Sequence, residues 1–394
     1  MIPTVKERSF FCRMNYQARK FAPFPQFAHS VLQILNTTLT DTSTFSVNIV
    51  SKKGVTVHLR KIYTLAAILL FAGMASAQNL PKFSGLMFGD YYYNYQNDQA
   101  AQKTVNGFDY RRIYLTTDYN IADGFAARFR LESDPTASTF ANNKLSVMVK
   151  DAYVDWTTLI PSGHAIFGLQ GTPDINMAES IFGYRSLEKT IQDYNGISSS
   201  RDLGISASDK FSDAFTAGLL IGNNSGNAQP NPTTNYKEKR GYVFFKINPV
   251  NELTILIDGD YFSQAFLPLE QYGKTGDVIV NYANSDFSFG VQGFAQGIDH
   301  AGKANGTLSK DGVSINGWVG LVDNLRLVAR FDSYNPNTVA HTSQATSVQN
   351  FLLGALDWSV KSNVHLMPNL EYRHYSVGGV ANDVTLRGTL YFTF

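Results

Sequence analysis

The strongest constraint on this chain is an alternation of apolar and polar side chains with a period of two, recurring in stretches of about ten residues after position 80. At 125–132, Phe125, Ala127, Phe129 and Leu131 alternate with Ala126, Arg128, Arg130 and Glu132. At 325–332, Leu325, Leu327, Ala329 and Phe331 alternate with Arg326, Val328, Arg330 and Asp332. At 366–374, Leu366, Leu370 and Tyr372 oppose Asn369, Glu371 and Arg373. The final segment puts Leu386, Gly388, Leu390, Phe392 and Phe394 on one face, and Arg387, Thr389, Tyr391 and Thr393 on the other. Successive side chains of a strand point to opposite faces, so such contrast requires an apolar medium on one side and a polar one on the other.

Sixteen segments of this kind predict strands at 82–95, 108–119, 124–133, 146–157, 164–171, 202–209, 214–223 and 239–248, then at 252–263, 277–284, 286–297, 311–321, 324–335, 349–359, 363–375 and 383–394. Their connections alternate. Short ones fall at 121–123, 159–163, 210–213, 248–251, 285, 322–323 and 360–362. Longer, more polar ones fall near 96–107, 134–145, 172–201, 224–238, 264–276, 298–310, 336–348 and 376–382. Tight turns at one end and loops at the other are what an even-stranded up-and-down barrel requires, whereas a soluble β-sandwich would not sort its connections by side. The expected fold is all-β: a 16-stranded antiparallel transmembrane β-barrel, closed because an open sheet edge cannot face lipid unsatisfied. No window after Gln78 has 18 consecutive apolar residues, so no transmembrane helix is predicted there.

Composition agrees. The chain has 21 Tyr and 28 Phe beside 7 Met and 3 Trp, a mix that suits strands. Residues 1–77 carry 9 Lys/Arg and 2 Asp/Glu, leaving 78–394 with a net charge of −6 and no dominant basic face for nucleic acid.

A leader is expected at 57–77. His58, Leu59, Arg60 and Lys61 open it, 63–74 (YTLAAILLFAGM) is its apolar run, and Ala75 and Ala77 set a signal-peptidase cut before Gln78. Residues 1–56 precede that signal without sustained periodicity. They read as an upstream extension from a misassigned start, a cytoplasmic extension being the alternative. The domain expected from 78 to 394 is then a single exported barrel without cysteine, since Cys12 lies upstream. Leu390, Phe392 and Phe394 on a terminal aromatic strand look like the signal read by the bacterial outer-membrane assembly machinery.

Sixteen strands leave an aqueous lumen. The wall residues expected to line it are Arg112, Arg128, Arg130, Lys246, Arg326, Arg330, Arg373 and Arg387, with Asp118, Glu132, Asp155, Asp258, Asp260, Asp332 and Glu371. The third loop (172–201) is the longest connection and mixes Ile175, Met177, Ile181, Phe182, Tyr184, Leu187 and Ile191 with Asp174, Glu179, Arg185, Glu188, Lys189 and Asp193. Apolar residues among charges suit a loop folded against a surface, with a short helix expected around 179–192.

Several segments resemble the bacterial phosphate-selective porin O and P family. They are Asp109-Tyr110-Arg111-Arg112-Ile113-Tyr114-Leu115, Asp151-Ala152-Tyr153-Val154-Asp155-Trp156, Gly168-Leu169-Gln170-Gly171-Thr172-Pro173, Gly183-Tyr184-Arg185-Ser186-Leu187-Glu188-Lys189-Thr190 and Ser199-Ser200-Arg201-Asp202-Leu203-Gly204. The likeness runs from 107 to 222 and is architectural beyond. It implies a homotrimeric diffusion pore in the outer membrane, with the third loop folded into the lumen as a constriction. Phosphate selectivity would rest on clustered Arg and Lys there. The third loop instead has Arg185 and Lys189 against Asp174, Glu179, Glu188 and Asp193, a net of −2. The expectation is therefore a general porin for small hydrophilic solutes and ions. Its acidic loop would face a basic wall of Arg128, Arg130, Arg326, Arg330, Arg373 and Arg387. An anion- or phosphate-selective porin and a sugar-specific one are the alternatives.

An outer-membrane hydrolase and a secreted β-rich binding protein are the rival classes. The sequence has no Gly-x-Ser-x-Gly elbow, no His-Glu-x-x-His and no glycine-rich phosphate loop. Its seven histidines lack metal-ligand spacing, and Asp258-Gly259-Asp260 reads as lumen wall before it reads as a calcium site. No enzyme activity, metal or cofactor is expected.

Overall fold

The computed structural model describes residues 80–135, 146–226, 238–266, 269–300, 307–336 and 347–394. The extension expected at 1–56, the leader expected at 57–77 and the expected cleavage residues Ala75, Ala77 and Gln78 lie outside the described residues. Sixteen strands follow one another: β1 (Lys82–Gln96), β2 (Asn106–Ala122), β3 (Phe125–Ser133), β4 (Met148–Trp156), β5 (Gly163–Gly171), β6 (Arg201–Ser212), β7 (Phe215–Gly222) and β8 (Lys239–Val250). Then come β9 (Leu253–Phe266), β10 (Leu269–Ala283), β11 (Phe287–His300), β12 (Thr307–Val322), β13 (Leu325–Asn335), β14 (Gln349–Lys361), β15 (Val364–Tyr375) and β16 (Asp383–Thr393). Each pairs antiparallel with the next, and β1 closes on β16 to complete the barrel. The seam is bonded to its end: Gly85 N donates to Phe394 O at 3.0 Å and Phe394 N to Gly85 O at 3.1 Å. Leu390 and Phe392, expected to belong to an assembly signal, pair with Gly89 and Met87 of β1.

The expected strands are all present, but two predicted loops are corrected. The connection expected at 264–276 is largely strand, with β9 and β10 paired from Leu269 opposite Phe266 down to Tyr282 opposite Leu253. Likewise β11 and β12 extend over much of 298–310. The segment Gln271, Tyr272, Gly273, Lys274 and Thr275 lacks an apolar face, yet a ladder of backbone hydrogen bonds does not need one. Strands can thus outrun the pattern that lipid imposes.

The two faces separate as the alternation requires. Leu327, Leu352, Leu366, Leu370, Leu386 and Leu390 are exposed on the outside, while Val328, Leu353, Met367, Asn369 and Thr389 beside them are buried inside. The inner face is not uniformly charged, however. Leu256, Ile279, Val328, Leu353, Ala355 and Met367 form apolar pads on it. The third loop covers these pads with two helices, α1 (Pro173–Phe182) and α2 (Ile191–Tyr194). The single helix expected around 179–192 is therefore corrected. Pro173 at the first helical position starts α1 ten residues before Gly183, whose left-handed φ of 75° stops it.

Candidate functional site

The candidate site is the third loop together with the inner wall it meets. Both ends of the loop are tied at its base. Thr172 Oγ1 donates to Ser199 O at 2.7 Å, and Asn176 Nδ2 donates to Thr172 O at 2.9 Å and Ser200 O at 2.8 Å. Gly183 closes α1 by donating its N–H to Glu179 O at 2.9 Å. The chain then turns through 184–190 before α2.

Three apolar clusters seat this loop. Phe182, Tyr184 and Leu187 pack with Val328, Phe351, Leu353, Ala355 and Met367 of β13–β15. Ala178 packs with Phe244, Leu256 and Ile279 of β8–β10, flanked by Met177 and Ile181. Ile191 and Ile197 pack with Phe294 and Tyr334 of β11 and β13. Gly312 of β12 makes room for α2, since a Cβ there would stand 2.9 Å from Ile191 Cδ1. Ile175, Leu187 and Ile191 are fully buried, which a loop in bulk solvent would not permit.

Polar contacts then pin the turn. Arg111 Nη1 donates to Leu187 O at 2.6 Å, and its Nη2 donates to Ser186 O. Arg330 Nη1 donates to Lys189 O at 2.5 Å, and Tyr184 Oη donates to Asp357 Oδ2 at 3.1 Å. Burial, with Asp357 alongside, holds the Tyr184 hydroxyl above the usual tyrosine range, and burial pushes Tyr194 up to about 12 against the opposing pull of Arg373. Both phenols are neutral at neutral pH.

The charges expected in the loop meet one another first. Arg185 Nε lies 2.6 Å from Glu179 Oε1 and 3.7 Å from Asp193 Oδ2, and Lys189 Nζ lies 3.9 Å from Asp193 Oδ1. Glu188 Oε1 accepts the N–H of Lys189 at 2.7 Å. Asp174 is buried in the first turn of α1, with neither carboxyl oxygen hydrogen-bonded among the described residues.

Most wall charges expected in the lumen are paired across strands. Arg112 meets Glu132 at 2.9 Å, Arg128 meets Asp118 at 2.7 Å and Arg130 meets Asp151 at 3.0 Å, while Arg330 meets Asp332 of its own strand at 2.6 Å. Arg387 bridges Glu371 at 3.1 Å and Asp90 at 3.2 Å, and Arg240 holds Asp260 at 2.7 Å. Asp258 lies directly opposite Asp277 in the β9–β10 register. Two guanidiniums have no carboxylate partner among the described residues: Arg326 sits 3.9 Å from the centre of the Trp318 ring and Arg373 sits 4.1 Å from that of Tyr194. Of the six arginines expected to face the loop, Arg330 bonds its backbone and Arg373 covers its Tyr194, whereas Arg128 and Arg130 are held by Asp118 and Asp151 on the wall.

Arg111, Asp90, Asp151, Arg201 and Lys150 were not singled out as wall residues by alternation, yet they complete this network. Arg111 Nε binds Asp90 at 2.6 Å, Arg201 binds Asp151, and Lys150 binds Glu132 at 3.0 Å. For Arg111 the reason is a slip in register: Phe88 faces Arg112 and Gly89 faces Tyr110, so Arg111 is the extra residue of a β-bulge. Two consecutive arginines thereby reach the same interior, and period-two reading loses one of them.

A closed antiparallel barrel of this size, apolar outside, ionic inside and carrying a loop against its inner wall, is an outer-membrane channel. A family model described as Gram-negative porin matches residues 64–385, and the chain belongs to that family. It is a channel for passive diffusion across the bacterial outer membrane; family and fold point away from an enzyme. Similar solved structures include the anion-selective porin from Comamonas acidovorans, at 11% identity over 80% of this chain and 100% of that one, with a TM-score of 0.64. OmpT of Vibrio cholerae with loop L8 deleted is 14% identical over 80% and 99%, with a TM-score of 0.59. Salmonella typhi OmpF in complex with daunomycin is 10% identical over 80% and 98%, with a TM-score of 0.58. At such identities the likeness is one of fold. No curated protein matches the chain.

Proposed function

We propose that the third loop narrows the lumen and that the chain works as a weakly selective general porin for small hydrophilic solutes and ions. The observation that carries this reading is the mutual compensation of charge. The loop acids Glu179 and Asp193 are met by Arg185 and Lys189. The wall arginines 112, 128, 130, 330 and 387 are each met by a carboxylate. A compensated lining presents local dipoles to a passing solute without the strong single-sign ring that selects one ion. The test is a reversal potential across a planar bilayer holding residues 78–394 under a salt gradient. Weak selectivity is expected, and neutralising Glu179 and Glu188 together should move both conductance and selectivity; no movement would remove these residues from the constriction.

Arg326 and Arg373, without carboxylate partners among the described residues, favour a second reading, an anion-selective pore of the phosphate-selective O and P type. Strong anion preference with block by millimolar phosphate would establish it. The working assembly in this proposal is a homotrimer set in outer-membrane lipid. Chemical cross-linking before and after heating should give a three-subunit band that collapses to one.

A further inference from the structure

A cleft of about 400 Å³ lies between the returning limb of the third loop at 196–199, the start of the fourth loop at 224–226 and the inner face of β8, β9, β11 and β12. That volume falls within the roughly 300–1,000 Å³ of clefts that hold small molecules. Its lining is polar, and no carboxylate is part of it. Asp260, just behind, is engaged by Arg240 at 2.7 Å, and Asp202 accepts the main-chain N–H groups of Asn224 at 2.8 Å and Leu203 at 3.0 Å. The floor is fixed, because Gln296 Nε2 donates to Ile197 O at 3.0 Å and to Thr275 Oγ1 at 3.0 Å.

Against this built frame, several groups are unused. Lys310 stands opposite Gln296 in the β11–β12 register, half-buried, and none of its neighbours among the described residues is a hydrogen-bond or ion-pair partner. Ser225 Oγ and Arg240 Nε likewise have no hydrogen-bond partner among the described residues, and Gln264 opens to the cleft. An ammonium partly withdrawn from water gains most from a counter-charge delivered to it. We infer that this cleft is a binding subsite for a small anionic polyol, a sugar acid whose carboxylate meets Lys310 while its hydroxyls meet Ser225, Gln264 and the backbone of 196–199. The inference rests on the diffusion-channel reading and adds to it a preferred class of solute.

The experiment is single-channel recording in KCl with D-glucuronate, D-glucose or acetate added at millimolar concentration. Glucuronate should interrupt the current in proportion to its concentration, and glucose and acetate should do so far less. Lys310→Gln should weaken the glucuronate block about tenfold, the order expected on losing one charge-assisted hydrogen bond, and Lys310→Arg should retain most of it. Equal block by glucose or by acetate overturns the anionic-polyol assignment. So does a block unchanged in Lys310→Gln, or normal KCl steps that glucuronate never interrupts. Absence of KCl steps from folded, heat-modifiable protein would instead count against the channel itself.

Discussion

Arg111 ties the barrel wall to the third loop. It joins Asp90 to two carbonyl oxygens of the third-loop turn, while Asp90 also accepts Arg387 at 3.2 Å and Thr389 Oγ1 at 2.5 Å. Arg111→Gln therefore leaves the wall carboxylate with partners but strips donors from buried carbonyls, a loss of about 1–3 kcal/mol in loop docking. The expected result is a noisier and larger single-channel current with unchanged heat-modifiable migration; traces identical to the parent would show that Arg111 does not hold the loop. Leu187, fully buried among Leu353, Ala355 and Met367, gives an apolar counterpart. Leu187→Ala should cost about 2–5 kcal/mol of local packing, seen as faster hydrogen exchange over 184–190 with the strands still protected.

Among elements, the strands were legible and the loop was legible only in part. Lipid on one side and water on the other force a period of two, so Phe125 to Glu132 and Leu325 to Asp332 announce β3 and β13 without help from tertiary contacts. The rest depends on what that rule does not govern. β10 begins at Leu269 because ladder bonds persist where lipid no longer sorts side chains. Val278, Ile279 and Val280 are apolar on both faces because Ile279 meets α1 rather than water. The apolar residues of the third loop forecast a docked segment, but its helix limits lie in Pro173 and Gly183, which hydrophobic spacing does not weigh. Gly183 supplies a test at this scale. Its φ is 75° and no atom stands within 4 Å of where a Cβ would be, so Gly183→Ala is opposed by backbone strain alone, about 1–2 kcal/mol. Gly183→Asn should lose less, since asparagine visits that conformation more readily. Hydrogen exchange of 179–190 should rank glycine, asparagine and alanine in that order of protection; alanine as protected as glycine would refute the strain argument.

Among the described residues of the whole molecule, two groups of charges outside the ion pairs stand on different strands of the wall. Asp258 and Asp277 oppose each other on β9 and β10, and the nearby Asp174 of α1 has no hydrogen-bond partner among the described residues. Arg326 and Arg373, also without carboxylate partners among the described residues, lie on β13 and β15. Like charges directly opposite on paired strands destabilise a sheet, by an amount on the order of the 0.2–1 kcal/mol that opposite charges contribute. Gln292 relieves part of this by donating to both oxygens of Asp277, at 3.2 and 3.1 Å. Converting both carboxylates to amides keeps their shape and removes the repulsion. The double variant Asp258→Asn, Asp277→Asn should therefore unfold at a higher temperature than the parent in detergent. Its reversal potential should also move toward anions, because negative charge leaves one side of the lumen while the arginines on the other remain. Arg326→Gln with Arg373→Gln should move it the opposite way. A lower unfolding temperature in the aspartate variant would mean that the pair needs its charge, and the two-sided account of the wall would then fail.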